Sequence, residues 1–224
     1  MTARLRIGVA GAGLIGRRHV ELIAASRDCV LAGIADPSPA ARALAEANDA
    51  PCYADHRALL QHERPDGLII ASPNALHLSM ALDCLAEGVP ALIEKPVTDS
   101  VDATPSPWSW ELSSGENPVY PKQDQPCYVF AGTAGSLAVP TMELWSYPGQ
   151  AGWHAPLARS PVMSASFDPL VEQLRHFLAV ITKREAPLVS AYDAMRTLAV
   201  VEAVSEAARR GSQVSPGDIM EQAA

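Results

Sequence analysis

The sequence predicts an α/β protein, a Rossmann-type doubly wound parallel sheet followed by an α+β sheet domain. Three observations predict it. The first 96 residues alternate short apolar runs with helix-like runs. After a proline-rich stretch, strand-like runs return so closely spaced that antiparallel pairing is expected. Two amphipathic helical patterns then end the chain. We read residues 1–100 as one domain and 101–224 as a second.

Leu5 to Ala10 reads as a buried strand and Leu14 to Ala25 as a helix. Cys29 to Ala35 is apolar on both faces, as a parallel strand covered on both sides tends to be. An alanine-rich helix over Ala40 to Asn48 follows Pro37 and Pro39. Cys52-Tyr53 reads as a short strand and His56 to Gln61 as a short helix. Pro65-Asp66 is a turn, Gly67 to Ala71 a strand, and Ala75 to Glu87 a helix ended by Gly88. Ala91 to Glu94 is a further strand, stopped by Pro96.

Prolines at 105, 107, 118, 121 and 126 rule out a long helix between Val97 and Pro126. Trp108 to Leu112, Cys127 to Ala131, Ser136 to Val139 and Met142 to Tyr147 read as strands, with Gly132 and Gly135 turning one hairpin. Asp168-Pro169 opens a helix on which Leu170, Leu174, Phe177, Leu178 and Ile181 share a face. Ser190 and Asp193 have cap-like spacing before a last helix over Tyr192 to Arg210, closed by Gly211.

Composition narrows the class. Forty-eight per cent of residues are hydrophobic, enough for a packed core. A net charge of −8 repels phosphate backbones, so nucleic acid is not an expected partner. Cys29, Cys52, Cys84 and Cys127 form no CxxC pair, and the six histidines show no ligand spacing, so no metal is expected. The cysteines read as reduced thiols of a cytoplasmic protein. Arg4 and Arg6 before an apolar run look superficially like a secretion signal, but cleavage there would remove the first strand. No apolar run reaches the roughly 18 residues of a membrane span.

The chemistry-bearing motif is Gly11-Ala12-Gly13-Leu14-Ile15-Gly16, between the first strand and the first helix. This is the context a dinucleotide site needs. The first glycine permits the tight turn, the second lets a pyrophosphate approach the backbone, and the third lets helix and strand pack closely. The helix start supplies unpaired N–H groups and partial positive charge. Asp36 ends the second strand, 20 positions after the last glycine (36 − 16 = 20). Its carboxylate can accept hydrogen bonds from ribose hydroxyls and would repel a 2′-phosphate, which favours NAD over NADP. The competing reading of Asp36 is an ordinary helix cap.

Ligands of doubly wound sheets lie beyond the C-terminal strand ends. Ser72, Pro73 and Asn74 occupy one such loop, with His77 one turn into the next helix. Ser72 and Asn74 can bond a ribose or nicotinamide, or they can simply cap that helix. Glu94 and Lys95 stand at the next strand end, where an ammonium can hydrogen-bond a substrate hydroxyl and exchange a proton.

Together the glycine turn, Asp36, Ser72-Pro73-Asn74 with His77, and Glu94-Lys95-Pro96 resemble the glucose–fructose oxidoreductase / inositol dehydrogenase / rhizopine catabolism (Gfo/Idh/MocA) family. The likeness runs from residue 4 to residue 98, and Gly132 to Leu137 resembles a later family segment. It implies a Rossmann fold and an NAD(P)-dependent oxidoreductase that moves a hydride between nicotinamide and a hydroxyl or carbonyl carbon of a sugar, polyol or related compound. The implied cofactor-binding residues are Gly11, Gly13, Leu14, Ile15, Gly16, Asp36, Ser72, Pro73, Asn74, His77, Glu94 and Lys95. Lys95 is the implied catalytic residue.

The resemblance breaks after Val101, where a block of domain size in the family is absent, together with an aspartate–histidine pair that helps in proton transfer. Glu172 and His176 have the right separation, but His176 reads as a helix-face residue, and His154 lies in a proline–glycine loop. A second reading therefore stands beside the first: a nucleotide-binding paralogue or deletion product that acts as a sensor or interaction module without turnover. Missing strands would leave apolar surface, so a homo-oligomer is expected.

Overall fold

The computed structural model describes residues 3–94, 110–115, 120–162 and 168–222. Two compact units form, Met1–Ser100 with Gln173–Ala224, and Val101–Glu172. The terminal helices thus group with the N-terminal unit, whereas the sequence reading put all of 101–224 together.

In the first unit, β1 (Leu5–Ala10) is central in a five-stranded parallel sheet. It is flanked by β2 (Cys29–Ala35) and β4 (Gly67–Ile70), with β3 (Cys52–Tyr53) and β5 (Ala91–Ile93) at the edges. Ile7, Val9, Ile34, Leu68, Ile69 and Ile70 have no solvent exposure. Neighbouring residues on β4 are buried in both directions, so the strand is apolar without alternation, as expected of a sheet covered on two faces.

The helices alternate with these strands: α1 (Leu14–Ala25), α2 (Pro39–Glu46), α3 (His56–Glu63) and α4 (His77–Ala86). Ser38 caps α2 by accepting from the Ala41 N–H at 3.2 Å, with Pro39 at the first helical position. Asp55 caps α3 by accepting from Ala58 at 2.9 Å. A single 3-10 turn, Asn74–Leu76, leads into α4.

The sheet gains its further cover from α6 (Pro169–Ile181). A Cβ on Gly67 would stand 2.6 Å from Ile181 Cδ1 and 3.0 Å from Phe177 Cζ. Glycine at the start of β4 is what lets this helix lie close to the strand. Leu174, Phe177 and Leu178 are buried on its inner face, the stripe that the helical spacing predicts. Next comes α7 (Ala191–Arg210), opened by the expected capping box: Ser190 Oγ accepts from Asp193 N–H and Asp193 accepts in turn from Ser190 N–H. Gly211, at φ +67°, closes it in the left-handed conformation. A last helix, α8 (Pro216–Gln222), had no counterpart in the sequence reading.

The second unit holds an antiparallel meander, β6 (Tyr128–Ala131), β7 (Gly135–Val139), β8 (Glu143–Ser146) and β9 (Ala158–Pro161), paired in chain order. The hairpin between Gly132 and Gly135 forms as expected, closed by the Gly132 N–H on the Gly135 carbonyl at 2.8 Å. Two local expectations change. Trp110–Ser113 is one helical turn, α5, where Trp108 to Leu112 was read as a strand; the part before Trp110 lies outside the described residues. An aromatic-rich run of this length fits either conformation, and tertiary context decides. β9 was not anticipated, because Ala158-Arg159-Ser160-Pro161 is too polar to register as a strand; it joins as a sheet edge, where proline is allowed.

Candidate functional site

The C-terminal ends of β1, β2, β4 and β5 form one rim of the parallel sheet, stitched together by backbone hydrogen bonds. Gly11 N–H donates to Ala35 O at 2.9 Å, Ala71 N–H to Ala10 O at 2.8 Å, and Glu94 N–H to Ile70 O at 2.9 Å. This continuity brings the loops of three motifs, distant in sequence, to one edge.

The glycine turn has the geometry its three glycines require. Gly11 sits at φ +99°, and a Cβ there would lie 2.4 Å from Ala71 O. At Gly16 a Cβ would lie 1.9 Å from Gly11 O, so the turn and the first helical residues pack with no room for a side chain. At Gly13 a Cβ would meet nothing within 4 Å. The middle glycine therefore answers no internal packing demand and opens onto the space beyond the rim. Gly13 is also the N-cap of α1, with no capping side chain and no acid in the first turn. The helix start keeps its N–H groups and partial positive charge available to an anion. Leu14 is exposed and Ile15 half-buried at this mouth. These features fit the pyrophosphate of a dinucleotide.

Asp36 lies against the same turn. One carboxylate oxygen accepts from the Ala12 N–H at 2.8 Å and the other from the Ser38 N–H at 2.8 Å. It does not cap α2, a role taken by Ser38. Partial burial pushes the carboxyl up. The Ser38 hydroxyl, the Ala12 and Ser38 N–H groups and the Arg17 charge outweigh that and hold it below the usual aspartate range. Its remaining lone pairs are left for further donors. Arg17 Nε in turn donates to the Ala12 carbonyl at 3.2 Å, fastening the turn from the helix side.

On the β4 loop, neither Ser72 nor Asn74 caps a helix: the N-cap positions of the 3-10 turn and of α4 are Pro73 and Leu76, with no side-chain bond. The Ser72 hydroxyl contacts Met80 Sδ at 3.4 Å. His77 is 1% exposed, and its Nε2 lies 2.8 Å from the Ser72 carbonyl oxygen. It braces the loop from inside.

Glu94 also turns inward. Its Oε1 lies 2.7 Å from Nε2 of His19, a fully buried residue of α1 that the sequence reading passed over. The signal was available: His19 stands three positions after Gly16, on the same helical face. Lys95 lies outside the described residues. His176 has both ring nitrogens engaged, Nδ1 with Glu185 Oε2 at 2.8 Å and Nε2 accepting from the Leu188 N–H at 3.2 Å, which agrees with a helix-face role. Among the described residues, no cluster of His, Cys, Asp or Glu could hold a metal ion, and no helix is long and apolar enough to cross a membrane.

Comparison with known proteins follows the same outline. Residues 5–107 match the family model for the GFO_IDH_MocA oxidoreductases, NAD-binding Rossmann fold. The chain is 36% identical to the rhizopine catabolism protein MocA of Rhizobium meliloti over 93 residues, 42% of this chain and 29% of that protein. It is 35% identical to an inositol 2-dehydrogenase of Rubrobacter xylanophilus over 102 residues, 45% of this chain and 29% of that protein. The matched part thus spans under a third of either relative. A crystal structure of a Desulfitobacterium hafniense protein, provisionally described as an NADPH-dependent oxidoreductase, shares the fold over 98% of this chain and 100% of its own, with a TM-score of 0.71 at 13% identity. Over residues 5–107, this chain is thus similar to the NAD-binding Rossmann domain of the Gfo/Idh/MocA oxidoreductase family.

Proposed function

We propose that the rim binds NAD and that the protein is an oxidoreductase moving a hydride between the nicotinamide and a hydroxyl or carbonyl carbon of a sugar, polyol or related small molecule. The observation that carries this reading is the open face at Gly13, set between two glycines that packing does require. A chain needing only a tight turn has no use for the middle one.

Each residue then has a task. The N–H groups of Gly13, Leu14, Ile15 and Gly16 hold the pyrophosphate at the start of α1. Asp36, already ionised and fixed, accepts from the adenosine ribose hydroxyls and disfavours a 2′-phosphate. Ser72, Pro73 and Asn74, braced by His77, line the path toward the nicotinamide. Lys95, next in the chain after Glu94, bonds the reacting oxygen and exchanges its proton. NAD, when bound, accepts or supplies the hydride.

The second reading is a protein that binds NAD without turnover and serves as a sensor or interaction module. It is favoured by the end of the family match at residue 107. A panel of sugars and polyols assayed with NAD+ separates the two. Turnover lost in Lys95→Ala, with NADH affinity kept, supports the enzyme; binding without turnover of any compound supports the sensor. We also propose a homo-oligomer located in the cytoplasm. The apolar surface of α4, where Leu78, Leu82 and Leu85 are exposed at helical spacing, supports association. Light scattering that gives a monomer mass at micromolar concentration would contradict it.

A further inference from the structure

The His19–Glu94 contact links two parts of the rim that the functional reading uses separately. His19 belongs to α1, one turn beyond the end that seats the pyrophosphate. Glu94 directly follows β5 and precedes Lys95 in the chain. The contact spans 75 positions of chain.

Its chemistry is unusual for a merely structural bond. A carboxylate can only accept, so Nε2 of His19 carries the proton and donates it. The other ring nitrogen, Nδ1, is fully buried and has no hydrogen-bond partner among the described residues. An apolar side chain would fill this interior with no unpaired polar atom, and replacing both partners by apolar groups is often neutral or stabilising. The imidazole therefore has a use beyond packing. Its bond to Glu94 is charge-assisted and directional, and it fixes where the end of β5 stands relative to α1. The Glu94 N–H, held by Ile70 O at 2.9 Å, fixes the same residue from the β4 side.

We infer that His19 and Glu94 are a positioning pair, a buried latch through which seating of the dinucleotide phosphates on α1 sets the stance of the β5 end, which Lys95 follows in sequence. This rests on the functional reading above. Neither residue touches cofactor or substrate in this role: Glu94 holds the end of β5, and His19 acts through Glu94. The latch also separates the tasks of the two rim histidines, since His77 holds the β4 loop and His19 the β5 end.

Hydrogen exchange followed by mass spectrometry, with and without NADH, tests the latch on the full chain. In the wild type, NADH slows exchange both at residues 11–16 and at residues 91–94. In Glu94→Leu, protection at 11–16 remains and the NADH effect at 91–94 disappears, while exchange at 91–94 without NADH rises about tenfold. Glu94→Gln keeps an acceptor for the His19 N–H and retains the coupled protection, whereas leucine fills the space without an acceptor and does not. His19→Leu breaks the same link from the other end and repeats the uncoupling if Glu94→Leu folds poorly. Coupled protection persisting in both leucine variants would overturn the latch. If NADH protects nothing at 11–16 in the wild type, the functional reading fails; equal NADH-free exchange at 91–94 in wild type and Glu94→Leu would then overturn the latch separately.

Discussion

At the residue scale, Gly13 and Gly16 lie three positions apart, yet a side chain meets different surroundings at each. A methyl group on Gly16 would sit 1.9 Å from a backbone oxygen that cannot yield. Gly16→Ala should therefore open the turn and lower stability by about 2 kcal/mol or more. Gly13 has a negative φ of −67° and open space around it, so Gly13→Ala should leave the melting temperature within a degree or two while weakening NADH binding about tenfold or more. Paired melting and titration curves check both; a Gly13→Ala protein with unchanged NADH affinity would remove the middle glycine from the site. Asp36 supplies a pH dependence of known sign. Its folded-state pKa is held below its unfolded value, so its contribution to stability is present above the unfolded pKa and lost as pH falls through the folded one. Asp36→Asn should flatten the acid limb of a stability-against-pH curve relative to the wild type and narrow any preference of NADH over NADPH.

At the element scale, the fit of α6 to β4 depends on one missing side chain. Gly67→Val would push into Phe177 and Ile181 and should loosen the helix from the sheet, costing about 1–3 kcal/mol. Proteolysis near residues 182–188 would report it, and unchanged protection there would contradict the packing. The element scale is also where sequence reading succeeds and fails for definable reasons. The β-α alternation through Ile93 was legible because buried parallel strands are unbroken apolar runs and three of the four helices between them, α2, α3 and α4, carry a capping residue or a glycine stop. Trp110–Ser113 and Ala158–Pro161 were not, because four residues carry no period to read and their neighbours in space decide their conformation. The rim glycines and Asp36 were legible from spacing. The inward turn of Glu94 and His77 was not, because nothing in a linear pattern says which polar groups at a strand end face the interior.

At the scale of the whole molecule, the two units take different parts of the chain than a cut near residue 100 suggests, since residues 173–224 return to the Rossmann unit. Thiol reactivity samples that unit's integrity. Burial, followed by the Asp83 charge, pushes Cys84 from the ordinary thiol 9.0 to about 11, and burial likewise raises Cys29. Both should resist iodoacetamide at pH 8 in the native state and react on unfolding. Because the Cys84 value is raised in the folded state, its contribution to stability is full below 9.0 and is lost as pH climbs toward about 11. Rapid native labelling of Cys84 would contradict a packed unit.

Whether the rim holds NAD is decided by calorimetric titration of the full chain with NADH and, separately, NADPH. The expected result is one site per chain, affinity for NADH about tenfold or more above that for NADPH, and loss of that site in Gly13→Val. Failure to bind either dinucleotide, or binding untouched by Gly13→Val, would contradict it.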